Sequence, residues 1–171
     1  AAPATWRGNA LQSGTPLTRI ALAVSSAVMY APQGAARDAC VAPLLGALSE
    51  QDRFALGMCD ADFMWFREQA VAATTANVDA AMSALSSRQS LGWSDLDRTF
   101  RAALDRAGEG TQVVYVGDGV PATHESAPVA FANRLKRMAA DSSATCHAVA
   151  PGSTFESGVL KAIAGIGGGS W

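Results

Sequence analysis

Acidic and imidazole side chains near predicted turns are the residues of this chain that could carry acid–base chemistry. Asp118 lies between two glycines, and Asp60 and Asp62 form a carboxylate pair after an apolar run. His124 lies in a polar stretch. An acid–base pair acts only with a reacting group beside it, and the sequence places no nucleophile near Asp60 and Asp62. A solvated turn therefore explains Asp60 and Asp62 better, and turn chemistry explains Asp118 equally well.

Other reactive residue types form no recognisable site. Cys40, Cys59 and Cys146 make no C-x-x-C pair and no Cys/His cluster, so we interpret them as core residues, with a single disulfide left open. His147 lies in a predicted strand and is interpreted as structural. The glycine-rich stretch 165–169 follows a predicted helix, whereas a phosphate-binding loop follows a strand and opens a helix.

Composition narrows the class of protein. The chain has 171 residues, of which 49% are hydrophobic and 16% charged, and its net charge is -2. These values predict a folded domain and argue against a nucleic-acid-binding surface. No apolar run approaches the roughly 18 residues that a membrane span needs. We interpret residues 1–17 as an arm or linker and 18–171 as one domain of a longer protein or assembly; the sequence does not decide between a cytoplasmic and an exported protein.

The hydrophobic pattern predicts alternating strands and helices. Strands are predicted at 19–24, 54–59, 63–66, 111–116 and 145–149. Helices are predicted at 37–50 (beginning near 39–42, so that Pro43 falls in the first turn), 76–87, 95–107, 127–140 and 155–163. Because the strands are continuous apolar runs, this order predicts an α/β fold with a doubly wound, mostly parallel sheet and helices on both faces. Residues 165–169 are predicted as a flexible tail or the start of a loop.

Three predicted loops lie where such a sheet binds ligands. Ligands of doubly wound sheets bind beyond the carboxyl ends of the strands. The loops that follow this rule are 25–28, 92–95 and 117–119.

These loops also carry a resemblance to a known family. The Ser-rich turn from Leu22 to Val28 and the segments DRFALGMCDAD, LGWSDLDRTFRAAL and VVYVGDG follow one another in the order of a von Willebrand factor A (vWA) domain. The chain is most similar to the bacterial versions that follow a VIT domain, as in inter-alpha-trypsin-inhibitor-like proteins. The resemblance covers residues 18–169 and implies a Rossmann-like vWA fold.

The resemblance implies a divalent-cation site that is degenerate here. The family's D-x-S-x-S turn aligns with Val24 through Val28, so its Asp and its last Ser are both replaced by valine, and Ser26 is retained. Ser94 stands where the family has Thr, and Asp118 matches the family's Asp. One carboxylate and two hydroxyls bind Mg²⁺ poorly. We therefore expect lost or weakened cation binding and no cofactor, with Ser26, Ser94 and Asp118 as the remaining ligand positions.

Simpler explanations exist for the hydroxyl residues. Ser94 is predicted as the N-cap of the helix that follows it. Ser25 and Ser26 can satisfy backbone groups at the end of a strand.

The resemblance implies a non-enzymatic interaction or scaffolding module whose partner is another protein or another domain of the same protein. Trp93, Ser25 and Gly119 are the candidate partner-binding residues. The family's sheet continues with a further strand and helix beyond the point that corresponds to Trp171. We therefore expect the last strand to be missing, and a partner or another part of the protein to complete the sheet.

Two alternatives from other classes stay open. A small hydrolase-like or flavodoxin-like enzyme would use Asp118 with His124 or Asp60, and it predicts a deep polar pocket at the strand ends. A structural subunit of a large assembly predicts several partly apolar faces. The interaction module predicts a shallow surface with exposed apolar groups at the strand ends.

Overall fold

A computed structural model describes residues 19–25, 32–59, 62–88, 94–121 and 127–171. The strands are β1 (Arg19–Ser25), β2 (Arg53–Cys59), β3 (Phe63–Trp65), β4 (Val71–Ala72), β5 (Thr111–Val116) and β6 (Thr145–Val149). The helices are α1 (Pro32–Gly46), α2 (Thr75–Ser87), α3 (Leu96–Arg106), α4 (Pro128–Met138) and α5 (Ser157–Ala164), followed by a 3-10 turn at Ile166–Gly168. The arm predicted over residues 1–17 lies outside the described residues.

The predicted α/β architecture is confirmed. The sheet has the order β3-β2-β1-β5-β6; β2, β1, β5 and β6 are parallel, and β3 and β4 pair with β2 in the antiparallel sense. The sequence analysis missed β4, which has only two residues. No strand follows β6 within residues 150–171.

Alternate residues of β5 pack into two separate cores. Val113 and Tyr115 point into the core under α3, α4 and α5, and Val114 and Val116 point into the core under α1 and α2. We call the first side the closed face and the second the open face. The open face is named for its incomplete cover at β6. There, Thr145, His147 and Val149 are only half-buried, whereas Cys146 and Ala148 on the closed face are buried.

The two edges of the sheet are covered by different segments of the chain. The short strands β3 and β4 both lie along the outer edge of β2. The guanidinium of Arg106 stacks 3.9 Å from the Trp65 ring centre and donates to the Glu68 carbonyl at 2.6 Å. On the other edge, residues 166–171 lie along β6, and Ser170 and Ala148 share a backbone hydrogen bond of 2.9 Å. Residues 165–169 are therefore not a flexible tail.

The first helix begins earlier than predicted. It begins at Pro32, and Pro43 lies inside it, near its end at Gly46. Proline suits the first turn of a helix because its missing N–H has no partner there. We predicted Pro43 in the first turn of this helix; the proline in the first turn is Pro32.

None of the helices in the described ranges combines the length and apolar character needed to cross a membrane.

Candidate functional site

The register of the sheet brings the ends of three parallel strands to one edge. Val24 lies opposite both Met58 and Val116, and Ser25 lies opposite Cys59. The last residues of β1, β2 and β5 therefore lie side by side. This is the carboxyl edge at which ligands of doubly wound sheets bind.

The loop after β5 holds Asp118 in a fixed position. The Val120 N–H donates to Asp118 Oδ1 at 3.0 Å, and the Glu156 N–H donates to the Asp118 carbonyl at 2.7 Å. The Gly119 N–H donates to the buried Tyr115 hydroxyl at 3.2 Å. Gly119 has a φ of +71°, a conformation that favours glycine. The closed face, through Tyr115, therefore fixes the shape of this loop.

Asp118 is half-buried, and its surroundings act on its acidity. Burial raises the pKa of the Asp118 carboxyl, and the hydrogen bond from the Val120 N–H acts in the opposite direction. The net shift is upward because desolvation of the carboxylate is the larger effect. A carboxylate in this setting gains from an opposite charge brought by a ligand or partner.

The turn before α3 is held against the end of β2. Asp95, and not Ser94, caps the helix: Asp95 Oδ1 accepts from the Arg98 N–H at 2.9 Å. The Asp95 carbonyl accepts from the Thr99 hydroxyl at 2.7 Å and from the Cys59 thiol at 3.5 Å. The prediction that Ser94 is the N-cap is therefore wrong. Both residues are good caps, and the helix begins one residue later than predicted.

Ser94 itself is buried beside this turn and has a polar partner of its own. Its burial is a feature that the sequence did not indicate. Ser94 thus lies close to the carboxyl edge without being open to solvent.

Exposed apolar side chains follow Asp118 in the chain and neighbour its backbone partner Glu156. Val120, two residues beyond it, is 47% exposed, and Phe155, next to Glu156, is 40% exposed. Trp171 is 54% exposed, and its ring lies 6.3 Å from that of Phe155. The sequence analysis singled out none of these three residues, because exposure of single apolar side chains leaves no periodic signal. Together they form what we call the apolar rim.

Several predicted site residues lie outside the described residues: Ser26, Asp60, Trp93 and His124. Of the other partner-binding predictions, Ser25 is the last residue of β1 and Gly119 lies in the Asp118 loop. The structure thus brings Ser25, Ser94, Asp118 and Gly119 to one edge.

The structure describes two of the three predicted ligand positions, Ser94 and Asp118. Within the described residues, no three His, Cys, Asp or Glu side chains come together in a way that could hold a metal ion. Asp118 is the only described carboxylate among the predicted ligands, and one of its oxygens already accepts a backbone N–H. A hard cation with six oxygen ligands needs more charge than this.

An exposed ion pair and an open cleft are two further features of the described surface. Asp62 is exposed and pairs with Arg98 at 2.8 Å. An open cleft of about 450 Å³ lies along α4 and is lined by Ala127, Val129, Ala130, Asn133, Arg134 and Arg137, so Asp118 is not part of its lining.

The three cysteines are free, with Cys59 and Cys146 buried and Cys40 half-buried. Burial raises the pKa of the Cys146 thiol to about 12, so it remains protonated at neutral pH. This agrees with their interpretation as core residues.

Comparison with known proteins identifies the family to which the chain belongs. The family model of the von Willebrand factor type A domain matches residues 19–171, so the chain belongs to this family. Domains of this family typically mediate protein–protein interactions and are generally non-catalytic. No curated protein matches the chain.

Solved structures share the fold at low identity. A von Willebrand factor type A protein from Catenulispora acidiphila aligns with a TM-score of 0.70 at 16% identity, over 88% of this chain and 37% of that one. An aerotolerance-related membrane protein from Bacteroides fragilis aligns with a TM-score of 0.63 at 14% identity, over 90% of this chain and 89% of that one. The manganese-loaded TRAP protein of Plasmodium vivax aligns with a TM-score of 0.63 at 15% identity, over 86% and 62%. The chain thus spans little more than a third of the Catenulispora protein.

Proposed function

We propose that this chain is a non-enzymatic protein–protein interaction or scaffolding module that contacts its partner through the carboxyl edge of the sheet without a bridging cation. The partner is another protein or another domain of the same protein. The observation that carries the proposal is the pairing of a rigidly held Asp118 with the apolar rim of Val120, Phe155 and Trp171. A central polar group surrounded by exposed apolar side chains is typical of a contact surface.

The degenerate ligand set supports the loss of the cation. The TRAP neighbour is manganese-loaded, whereas this chain has valine at positions 24 and 28, where the resemblance implies an aspartate and a serine. Metal affinity depends strongly on the number of charged ligands. A site with Ser26, Ser94 and Asp118 alone is therefore expected to bind Mg²⁺ and Mn²⁺ weakly or not at all.

Calorimetric titration with Mn²⁺ and Mg²⁺ tests the cation statement, using the chain as it is and a Val24→Asp/Val28→Ser variant. We expect no binding below millimolar concentration for the chain. We expect micromolar Mn²⁺ binding for the variant, lost again when Asp118→Ala is added, because the variant regains the missing charge and hydroxyl. Micromolar binding by the unaltered chain that disappears in Asp118→Ala would overturn the loss of the cation.

A photo-cross-linking residue at position 120 tests the contact surface in cells that express the whole protein. We expect one discrete adduct, weakened by Asp118→Ala. The matched control is position 129, which lies on α4 and is 74% exposed. Equal adducts at both positions, or an adduct at position 120 that is indifferent to Asp118→Ala, would argue against this surface.

A further inference from the structure

Residues 166–171 lie against β6 more closely than a loop usually does. At Gly169, an added Cβ would lie 1.6 Å from the Cys146 carbonyl oxygen, so no larger residue fits without displacing the segment. The Ala148 N–H donates to the Ser170 carbonyl at 2.9 Å, and the Thr145 hydroxyl donates to the Gly167 carbonyl at 3.5 Å. The segment is thus held by a short set of contacts along one edge strand.

His147 makes the contact that depends on its protonation state. The Ser170 N–H donates to His147 Nδ1 at 3.1 Å. A backbone N–H can only donate, so Nδ1 carries no proton in this arrangement. The proton of the neutral ring is therefore on Nε2, which donates to the Gln112 side-chain oxygen at 2.8 Å.

We propose that His147, Gln112 and Ser170 form a pH-sensitive latch, which holds residues 166–171 along β6 while the imidazole is neutral and releases them when it is protonated. Protonation of Nδ1 sets an N–H against the Ser170 N–H and removes the acceptor of that hydrogen bond. The Ser170 hydroxyl lies 3.0 Å from Nδ1 and can accept the new proton. To do so it must turn its own proton away, and the backbone contact is still lost.

The groups around the ring favour the neutral form. On the open face, the neighbours on β5 are Gln112 and Val114, and residues 166–171 bring no charged side chain. From the closed face, α5 brings Lys161, whose ammonium lies 5.3 Å from the Trp171 ring centre, and the neighbouring Cys146 thiol is uncharged. No carboxylate in the described part of the chain contacts the imidazole, and burial lowers the His147 pKa below its usual value of 6.5.

Release of the latch changes the apolar rim. Trp171 follows Ser170 directly, and its ring packs against Phe155. When Ser170 leaves β6, Trp171 is free to move away from Phe155. The latch goes beyond the proposed function and does not rest on it, because its contacts involve neither Asp118 nor any partner.

The latch is tested by NMR of the full chain between pH 5 and pH 8. We expect the Ser170 amide and the Trp171 indole to shift with the same midpoint as His147, below pH 6.5. In His147→Asn, an amide oxygen can replace Nδ1 as the acceptor and cannot be protonated, so these shifts should vanish. In Gln112→Glu, a carboxylate facing Nε2–H should raise the midpoint by about one pH unit.

Three further variants keep the test decisive. Gly169→Ala should give the released spectrum for residues 170 and 171 already at pH 8, whereas Gly46→Ala, where an added Cβ meets nothing within 4 Å, should not. His124→Asn removes the other histidine of the chain and should leave the midpoint unchanged. A Ser170 shift that persists in His147→Asn, or a Trp171–Phe155 contact that survives protonation of His147, would overturn the latch.

Discussion

The two faces of the sheet differ in how completely they are covered. The closed face has three helices over it and a core of aromatic rings: Phe100 lies 5.6 Å from Tyr115 and 6.1 Å from Phe131, and all three are fully buried. The open face has aliphatic packing under α1 and α2 and leaves the β6 side chains half-buried. The closed face supports the fixed loop of Asp118 through Tyr115, and the open face carries the His147 latch. Fixed and changeable parts of the molecule thus lie on opposite sides of one sheet.

The largest expected effect comes from the aromatic core. Phe100→Ala should lower the free energy of unfolding by about 3–5 kcal/mol, because it leaves a cavity among rings that cannot collapse. The matched change on the open face, Val149→Ala, removes a half-exposed side chain and should cost less than about 1 kcal/mol. Urea denaturation measures both. Equal losses would mean that the two faces are covered alike.

The next effect is electrostatic and lies between two helices of the closed face. Asp97 and Arg134 form a two-bond ion pair at 2.7 and 2.9 Å, and both side chains are largely buried. Asp97→Asn should lower the free energy of unfolding by about 2–3 kcal/mol, since it weakens a two-bond ion pair that is largely removed from solvent.

The exposed pair of Asp62 and Arg98 offers a control for that measurement. Asp62→Asn should change the free energy of unfolding by no more than about 0.5 kcal/mol, because solvent screens an exposed pair. If the two substitutions cost the same, burial is not what makes the Asp97 pair important.

A smaller effect than that of Asp97→Asn concerns the link between the closed face and the site. Tyr115→Phe removes the acceptor of the Gly119 N–H and should cost about 1–2 kcal/mol. Hydrogen exchange of the Gly119 amide should become faster. The exchange rate of the Val114 amide should not change, because the Val114 side chain packs on the open face. Unchanged exchange at Gly119 would show that the loop does not depend on this hydroxyl.

The sheet could be predicted because its strands are uninterrupted apolar runs, and the strands at 111–116 and 145–149 have the predicted bounds. The capping residue could not, because Ser94 and Asp95 are adjacent and equally suited, and only packing decides between them. Contacts between side chains of different elements could not be predicted from the sequence either. The pairing of His147 with Gln112 depends on register, and that of Asp97 with Arg134 depends on how two helices lie together.

The segments that cover the two sheet edges have a consequence for self-association. An uncovered edge strand offers its free N–H and carbonyl groups to a strand of another molecule. The strands β3 and β4, together with Arg106, cover one edge, and arginine keeps its charge throughout the pH range in which a histidine titrates. On the other edge, residues 166–171 lie along β6, and the latch makes part of their attachment depend on the His147 imidazole. Mildly acidic solutions should therefore increase self-association through β6.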